Sequence, residues 1–269
     1  MFQIVGGIAF LWEGIEKGIY VRKSTGVTTI IIGVTVLVFL ISSQFDNPYD
    51  LLALWFHKNE KFRLWQPVTT IFMHGGYTHL LFNMYALWAF GTPLAEIWGR
   101  HRFLFFYLVS GIGASLIYLL VNQFNYDKAM HALLDAGISA ENIRSFLAAD
   151  QPSYEFIPAA QSPLSAEELV EFFGIFNIPA VGASGAIYGV LVAFGMLYPN
   201  AKLALIFFPV PIPAKYFIPV LIGLDLFSGV TGLSIFGGGI AHFAHVGGAL
   251  IGFLLMLYWK GRTRREDIV

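Results

Sequence analysis

Residues 179–198 read PAVGASGAIYGVLVAFGMLY, an apolar stretch without charge that carries a single serine, Ser184, near its start. A helix of about 20 residues is roughly 30 Å long, which is the thickness of the hydrocarbon core of a bilayer. The stretch therefore predicts a transmembrane helix. Because a polar group at membrane depth is costly, the serine is a candidate for function.

The composition of the whole chain indicates a membrane protein. Of 269 residues, 57% are hydrophobic and 12% are charged, whereas a soluble domain carries about 25% charged residues. The formal net charge of -1 offers no basic surface, so no nucleic-acid partner is expected. The lack of cysteine excludes disulfides, cysteine nucleophiles and cysteine-ligated metal sites.

Five further segments are long and apolar enough to cross a bilayer, so the sequence predicts an all-α bundle of six transmembrane helices. The predicted spans are residues 27–43, 78–98, 103–121, 179–198, 217–233 and 241–259. Three prolines, Pro209, Pro211 and Pro213, separate span five from the apolar residues before it. The spans and their connections form one membrane domain, residues 27–259.

The distribution of Lys and Arg indicates the orientation of this bundle. With both termini cytoplasmic, 11 of these residues lie on the inner side and 5 on the outer side, in keeping with the positive-inside rule. Residues 1–26 are then a cytoplasmic N-terminal segment, and residues 260–269 are a basic cytoplasmic tail. Since residues 4–12 lack a preceding basic region, we expect an interfacial helix there rather than a secretory signal, with Trp12 and Tyr20 near the headgroups.

Two long connections lie on the outer side, residues 44–77 and 122–178. The second is an acidic insertion with eight Asp and Glu against two Lys and Arg. It is expected to hold helical pieces at 129–147, interrupted at Gly137, and at 165–173, which opens with the Ser and Glu of a capping box. The insertion is too short to predict a substantial core of its own.

Four polar side chains on spans two, four and six are expected at one depth. His79 and Asn83 lie in the first turns of span two. Ser184 lies about five residues into span four, and His245 about four residues into span six. Since all three spans run inwards from the outer side, a rise of 1.5 Å per residue puts these groups within about 10 Å of the outer surface.

Glycines indicate which faces of spans four and six meet. Gly182 and Gly185 flank the serine, while Gly248 and Gly252 follow His245 at helical spacing. Small residues let transmembrane backbones approach closely. We therefore expect these helix-packing glycines to bring the serine hydroxyl within hydrogen-bond range of the imidazole.

A serine beside a histidine is the pair required for nucleophilic catalysis, because the imidazole takes the proton from the hydroxyl. His79 and Asn83, four residues apart, share one helix face. Together with a backbone N–H near Ser184 they are candidates to stabilise an oxyanion. This chemistry needs no metal ion and no cofactor, and neither is predicted.

Three ordered motifs resemble those of rhomboid intramembrane serine proteases. Residues 182–185 (GASG), followed by Tyr188, resemble the GxSG motif of that family. Residues 244–252 (AHVGGALIG) resemble its AHxxGxxxG segment, and residues 79–83 (HLLFN) resemble its HxxxN element. The resemblance covers the membrane domain apart from the insertion.

The resemblance implies a Ser–His dyad without a third carboxylate. Ser184 would be the nucleophile and His245 the general base. His79, Asn83 and the backbone of Ser184 would stabilise the oxyanion, and the Tyr188 ring would pack against the base. The implied reaction is hydrolysis of peptide bonds in or near the transmembrane segments of membrane-protein substrates, within the lipid bilayer.

Other positions bear on that resemblance less directly. Residues 237–239 (GGG) resemble the family's mobile cap, and span five its lateral gate. The chain has Gln66 where the family often has Arg, with Arg63 a candidate substitute, and it has His242 where Asn is frequent. We expect His242 to be structural or cavity-lining. Asp225 is expected to be structural or gate-related, because its depth does not pair it with Ser184.

Two other functions are compatible with these residues. A catalytically silent rhomboid-fold protein that binds transmembrane segments is the main alternative, although such proteins usually lose the serine or the histidine. A proton-coupled transporter using Asp225, His242 and His245 is disfavoured, since the chain lacks duplicated halves. In every case the protein is integral and multi-pass, in the cell (inner) membrane for a bacterial source.

Overall fold

The computed structural model describes residues 2–5, 8–11, 26–153, 155–158, 160–205, 208–233 and 241–266. Within these residues the helices are α1 Val27–Ser42, α2 Tyr49–Leu52, α3 Gln66–Thr69, α4 Tyr77–Ala86, α5 Thr92–Trp98, α6 Arg100–Asp135, α7 Ala140–Ala148, α8 Ala166–Asn177, α9 Ser184–Leu197, α10 Ala214–Thr231 and α11 His242–Glu266. The strands are β1 Phe2–Val5, β2 Ile8–Leu11, β3 Lys202–Leu205 and β4 Phe208–Pro213.

Each predicted span corresponds to a helix or to a continuous helical run. Within the described residues, α6, α10 and the part of α11 up to Lys260 are long and apolar enough to cross a membrane, while α1 and α9 are shorter apolar helices. The run from α4 to α5 contains a π-helical turn at Leu87–Gly91. Pro93 follows this turn and cannot donate a backbone hydrogen bond, which explains the local widening.

The helix α9 lies at the centre of the bundle. Its sequence is apolar on all sides rather than along one stripe, as is typical of a helix surrounded by others. It packs against α6 and α11. Bulky members of the main core include Phe90, Phe103, Tyr107 and Phe194, all of which are buried. This packing holds the first turn of α9 between two long helices.

The insertion has a core, contrary to expectation. Helix α6 runs to Asp135, well past the predicted end of span three, and so supplies one wall of a second cluster. Gly137 takes a left-handed φ of 83° and ends that helix, as expected. The buried residues of this cluster are Phe56, Tyr126, Leu133, Ile138, Ile143, Phe146, Leu147, Ile157, Leu169, Phe172, Phe173 and Ile175. The expectation was wrong because the continuation of α6 inside the insertion packs against α7 and α8, and Phe56 of the first outer connection joins the same cluster.

The strands form an antiparallel sheet in the order β1-β2-β3-β4, so the protein is mostly helical rather than all-α. The prediction of an interfacial helix at residues 4–12 is wrong for the described part of that range, which lies in β1 and β2. The Gly6-Gly7 pair between them is a dipeptide that favours hairpins. Trp12, Tyr20 and the expected cap at 237–239 lie outside the described residues.

Candidate active site

Ser184 is the first residue of α9, not the fifth residue of a longer helix. The preceding chain is extended, because Ala180 pairs with Leu54 through two backbone hydrogen bonds of 2.9 Å. Thr70 holds the same stretch, since its Oγ1 donates to the Ala180 carbonyl at 2.7 Å and its carbonyl accepts from Gly182 N–H at 3.1 Å. A helix start has N–H groups without intrahelical partners and a positive dipole end. The serine therefore lies where negative charge is stabilised.

The serine and the expected base are in contact. The distance from Ser184 Oγ to His245 Nε2 is 2.8 Å, within hydrogen-bond range. The His245 ring stacks on the Tyr188 ring with centroids 4.3 Å apart and an interplanar angle of 14°. Tyr188 lies one turn after the serine on α9, so the same helix carries the serine and the ring that stacks on His245.

Glycines set the approach of α9 and α11. A Cβ added at Gly248 would lie 2.6 Å from the carbonyl carbon of Gly185, and a Cβ at Gly252 would lie 2.5 Å from Gly189 Cα. The two backbones thus meet without side chains between them, as the glycine pattern predicts. Gly182 differs from that prediction, because it precedes α9.

Gly182 instead makes room for His79. Its φ of 131° lies in the region that favours glycine, and a Cβ there would lie 2.9 Å from His79 Nε2. His79 is in the first turn of α4, and Asn83 Nδ2 donates to the His79 carbonyl at 2.9 Å. The imidazole of His79 therefore lies against Gly182, two residues before Ser184. The buried Asn83 amide is hydrogen-bonded within its own helix.

His74 lies in the connection before α4 and is only 3% exposed. Its ring is 5.0 Å from the His79 ring, measured between centroids. Burial and the neighbouring His79 lower the pKa of His74 to about 4. The buried His74 ring is thus uncharged at neutral pH and lies next to the ring of His79.

Asp225 was expected to lie at a different depth from the site, but it contacts His245, so its depth is that of the site. The carboxylate is 1% exposed, and both of its oxygens lie 3.3 Å from His245 Nδ1. It also lies 2.6 Å from His242 Nδ1 and accepts a hydrogen bond from the Tyr188 hydroxyl. His242, at the start of α11, contacts the same carboxylate as the base. A mid-span aspartate beside a two-histidine segment is the sequence signal for this cluster.

Gln66, rather than Arg63, anchors the first outer connection. Its side chain is fully buried, donates to the Lys61 carbonyl at 2.8 Å and accepts from Trp55 N–H at 3.3 Å. Arg63 is exposed and donates to the carbonyls of its neighbours, including that of Glu60. The neutral amide is therefore sufficient to fold this connection over the bundle.

A cavity of about 30 Å³ lies beside the serine. Its wall includes Ser184, Gly182 and Thr70 on one side and Ser115 and Tyr118 of α6 on the other. This volume is enough for a water molecule, and four of the residues in its mostly apolar wall carry a hydroxyl group. The site can therefore hold a small polar reactant next to the serine.

A model of the rhomboid domain matches residues 61–262, a region that contains all the residues of this site. The chain belongs to the rhomboid family. As a rhomboid it is similar to rhomboid protein 1, mitochondrial, of Saccharomyces cerevisiae, with 28% identity over 74% of this chain and 43% of the relative.

Two further relatives support the assignment of this chain to the rhomboid family. Presenilin-associated rhomboid-like protein A, mitochondrial, of Danio rerio is 27% identical over 99% of this chain and 55% of its own length. Rhomboid protease GluP of Bacillus subtilis is 31% identical over 38% of this chain and 21% of its own length. This rhomboid spans about half the length of the first relatives it matches. The yeast and zebrafish relatives are mitochondrial by name, so they give no support to the expected bacterial cell membrane.

Proposed function

We propose that this rhomboid is an intramembrane serine endopeptidase that hydrolyses peptide bonds in or near the transmembrane segments of membrane-protein substrates. The observation that carries the proposal is the contact of 2.8 Å between Ser184 Oγ and His245 Nε2. A hydroxyl bonded to an imidazole is the arrangement that activates serine as a nucleophile. The buried setting of the pair, between apolar helices, matches a substrate that lies in the bilayer.

In the acylation step, Ser184 Oγ attacks the carbonyl carbon of the scissile bond while His245 Nε2 takes the hydroxyl proton. The carbonyl oxygen becomes an oxyanion. The N–H groups at the start of α9 and the ring of His79 are the donors that we assign to it. Asn83 donates to the backbone carbonyl of His79 at 2.9 Å, so its amide supports the turn of α4 that carries this ring. Collapse of the intermediate releases the amine, which receives its proton from His245.

In the deacylation step, a water molecule replaces the amine. His245 takes one proton from this water, the oxygen attacks the acyl carbon, and Ser184 leaves with the proton returned to Oγ. The cavity beside Ser184 is the entry that we assign to the water, since its mostly apolar wall includes the hydroxyl-bearing residues Thr70, Ser115 and Tyr118. The products are a carboxylic acid and an amine, and the pair is restored.

The proposal includes six membrane spans with both termini in the cytoplasm. It is supported by the excess of Lys and Arg in the inner segments. In this orientation the starts of α4, α9 and α11 face the outer side. Substrate would then meet the site from the membrane, past α10, and water would meet it from outside.

The test is cleavage of a model single-span substrate in proteoliposomes, followed by gel analysis and mass spectrometry. Ser184→Ala and His245→Ala are expected to abolish product. Ser42→Ala, a buried serine on α1, and His101→Ala, an exposed histidine on α6, are matched controls expected to cut normally. A serine-directed fluorophosphonate probe is expected to label the wild type but not Ser184→Ala.

Two results would contradict the proposal. Product formed at the wild-type rate by both Ser184→Ala and His245→Ala would refute the assigned chemistry. Failure of the wild type to cut any single-span substrate or to react with the probe would favour the silent binder of transmembrane segments.

A further inference from the structure

The Asp225 side chain lies within contact distance of His245, the proposed base. It belongs to α10, whereas the nucleophile belongs to α9 and the base to α11. The side chain is buried, and a buried carboxylate is stable only when it is paired and hydrogen-bonded. The groups that face it are Tyr188 from α9 and His242 and His245 from α11. Within the part of the chain that the structure describes, its partners therefore come from the helices that form the site.

The position of the carboxylate relative to His245 is that of an orienting group. Nε2 of His245 faces Ser184 Oγ at 2.8 Å, and Nδ1 on the other side of the ring faces both Asp225 oxygens at 3.3 Å. To take the serine proton at Nε2, the neutral ring must carry its own proton on Nδ1. A carboxylate at Nδ1 favours that tautomer and stabilises the imidazolium that forms next.

We infer that Asp225 is a positioning residue that extends the pair to a Ser184–His245–Asp225 triad. This inference rests on the proposed function, since it concerns the same reaction. His242 and Tyr188 hold the carboxylate, because one bonds each oxygen. Tyr188 therefore has two contacts with the triad, its ring with His245 and its hydroxyl with Asp225.

The two contacts of Asp225 with the histidines differ in length in an informative way. His242 is bonded at 2.6 Å, while His245 is 3.3 Å from each oxygen, a contact that is long for a hydrogen bond. Catalytic hydrogen bonds are often long before substrate binds and shorten in the reacting complex. The short bond to His242 keeps the carboxylate in place until charge develops on His245.

The test is steady-state cleavage by Asp225→Asn, with kcat and KM measured separately in proteoliposomes. Removing the charge while keeping the shape is expected to lower kcat at least about 10²-fold and to leave KM within about twofold, since substrate does not touch this side chain. Ser228→Ala is the matched control, a buried serine one turn further on α10, and is expected to keep wild-type kcat. A wild-type kcat for Asp225→Asn would overturn the inference while leaving the proposed function intact.

A second variant covers the case in which Asp225→Asn does not fold. Tyr188→Phe removes the hydroxyl bond to Asp225 but keeps the ring on His245, and it is expected to lower kcat about threefold to tenfold, in line with the loss of one hydrogen bond. The rate of fluorophosphonate labelling is expected to fall in parallel. Unchanged labelling and unchanged kcat in Tyr188→Phe would contradict the inference. Lack of both cleavage and labelling in the wild type would instead refute the proposed function and the triad with it.

Discussion

A methyl group added at Gly248 tests how closely the chemistry depends on the contact between α9 and α11. The added Cβ would lie 2.6 Å from the carbonyl carbon of Gly185. The carbonyl oxygen of Gly185 would lie closer still, and ordinary contacts of a Cβ begin at 3.4 Å. The two backbones must therefore separate by more than about 0.8 Å, since the atoms that clash with the Cβ belong to the backbone and cannot rotate away.

This separation reaches the reacting groups directly. Gly185 follows Ser184 in the chain, and Gly248 lies one turn after His245. A movement of about 0.8 Å carried to the pair would lengthen the bond of 2.8 Å to about 3.6 Å, beyond hydrogen-bond range. Misplacement of this size costs on the order of 10²-fold in rate, and overpacking costs about 1–3 kcal/mol of stability.

The assay for Gly248→Ala combines turnover of a single-span substrate in liposomes with thermal unfolding in detergent. We expect kcat to fall about 10²-fold and the unfolding midpoint to fall. Gly223→Ala on α10 is the control, because nothing lies within 4 Å of a Cβ at that position. It is expected to keep full activity, with stability unchanged or raised by up to about 1 kcal/mol. Wild-type turnover and midpoint in Gly248→Ala would refute the close-contact argument.

Three further predictions concern other parts of the chain. Gly182→Ala is expected to lower kcat about tenfold or more, because its Cβ would press on His79 and its φ is unfavourable; normal turnover would contradict this. Ser165→Ala is expected to cost about 1 kcal/mol and to speed amide exchange in α8, since the capping box bonds Ser165 and Glu168 reciprocally; equal exchange would argue against it. For His74, the unfolded chain takes up a proton near pH 6.5 and the folded chain only near pH 4. Stability is therefore lost as the pH falls through this window, by up to about 1.4 kcal/mol per unit. Thermal midpoints of His74→Asn that fall as steeply as those of the wild type would show that another group is responsible.

The meeting of Ser184 and His245 could be predicted from sequence because it needs only helix periodicity and chain direction. Glycines at helical spacing on both segments defined the faces that approach. The start of α9 could not be predicted, because Ala180 is drawn into pairing with Leu54, a residue from a distant connection. Tertiary hydrogen bonds, not local propensity, end the extended stretch and expose the first turn of the helix.

The contact of Asp225 with His245 could not be predicted, because the predicted span five puts Asp225 near its centre. Helix α10 ends at Thr231, so Asp225 lies about 9 Å from that end at 1.5 Å per residue. His245 lies about 4–5 Å into α11 by the same measure. The remaining difference in depth between Asp225 and His245 is small enough for their two side chains to bridge. A modest error in a helix end was therefore enough to hide the partner of the base.

The N-terminal strands and the core of the insertion depend on partners that are remote in sequence. Strand β2 pairs with β3, with Ile8 opposite Leu205, a separation that no local pattern reveals. In the same way Phe56 joins residues of α6, α7 and α8 in the second cluster. Both features are long-range by nature, whereas the capping box and the Gly137 turn are local, and the structure confirms both predictions.

The buried aspartate gives α10 an electrostatic anchor as well as a role beside the base. Moving this helix outward would take an ionised group from two imidazoles and a phenol towards lipid, where it must gain a proton or draw water with it. Displacement of α10 is therefore opposed by charge and not only by packing. A segment that inserts between α10 and the bundle therefore separates Asp225 from His245 as it enters. The contact between the two side chains forms again only when α10 returns to its packed position.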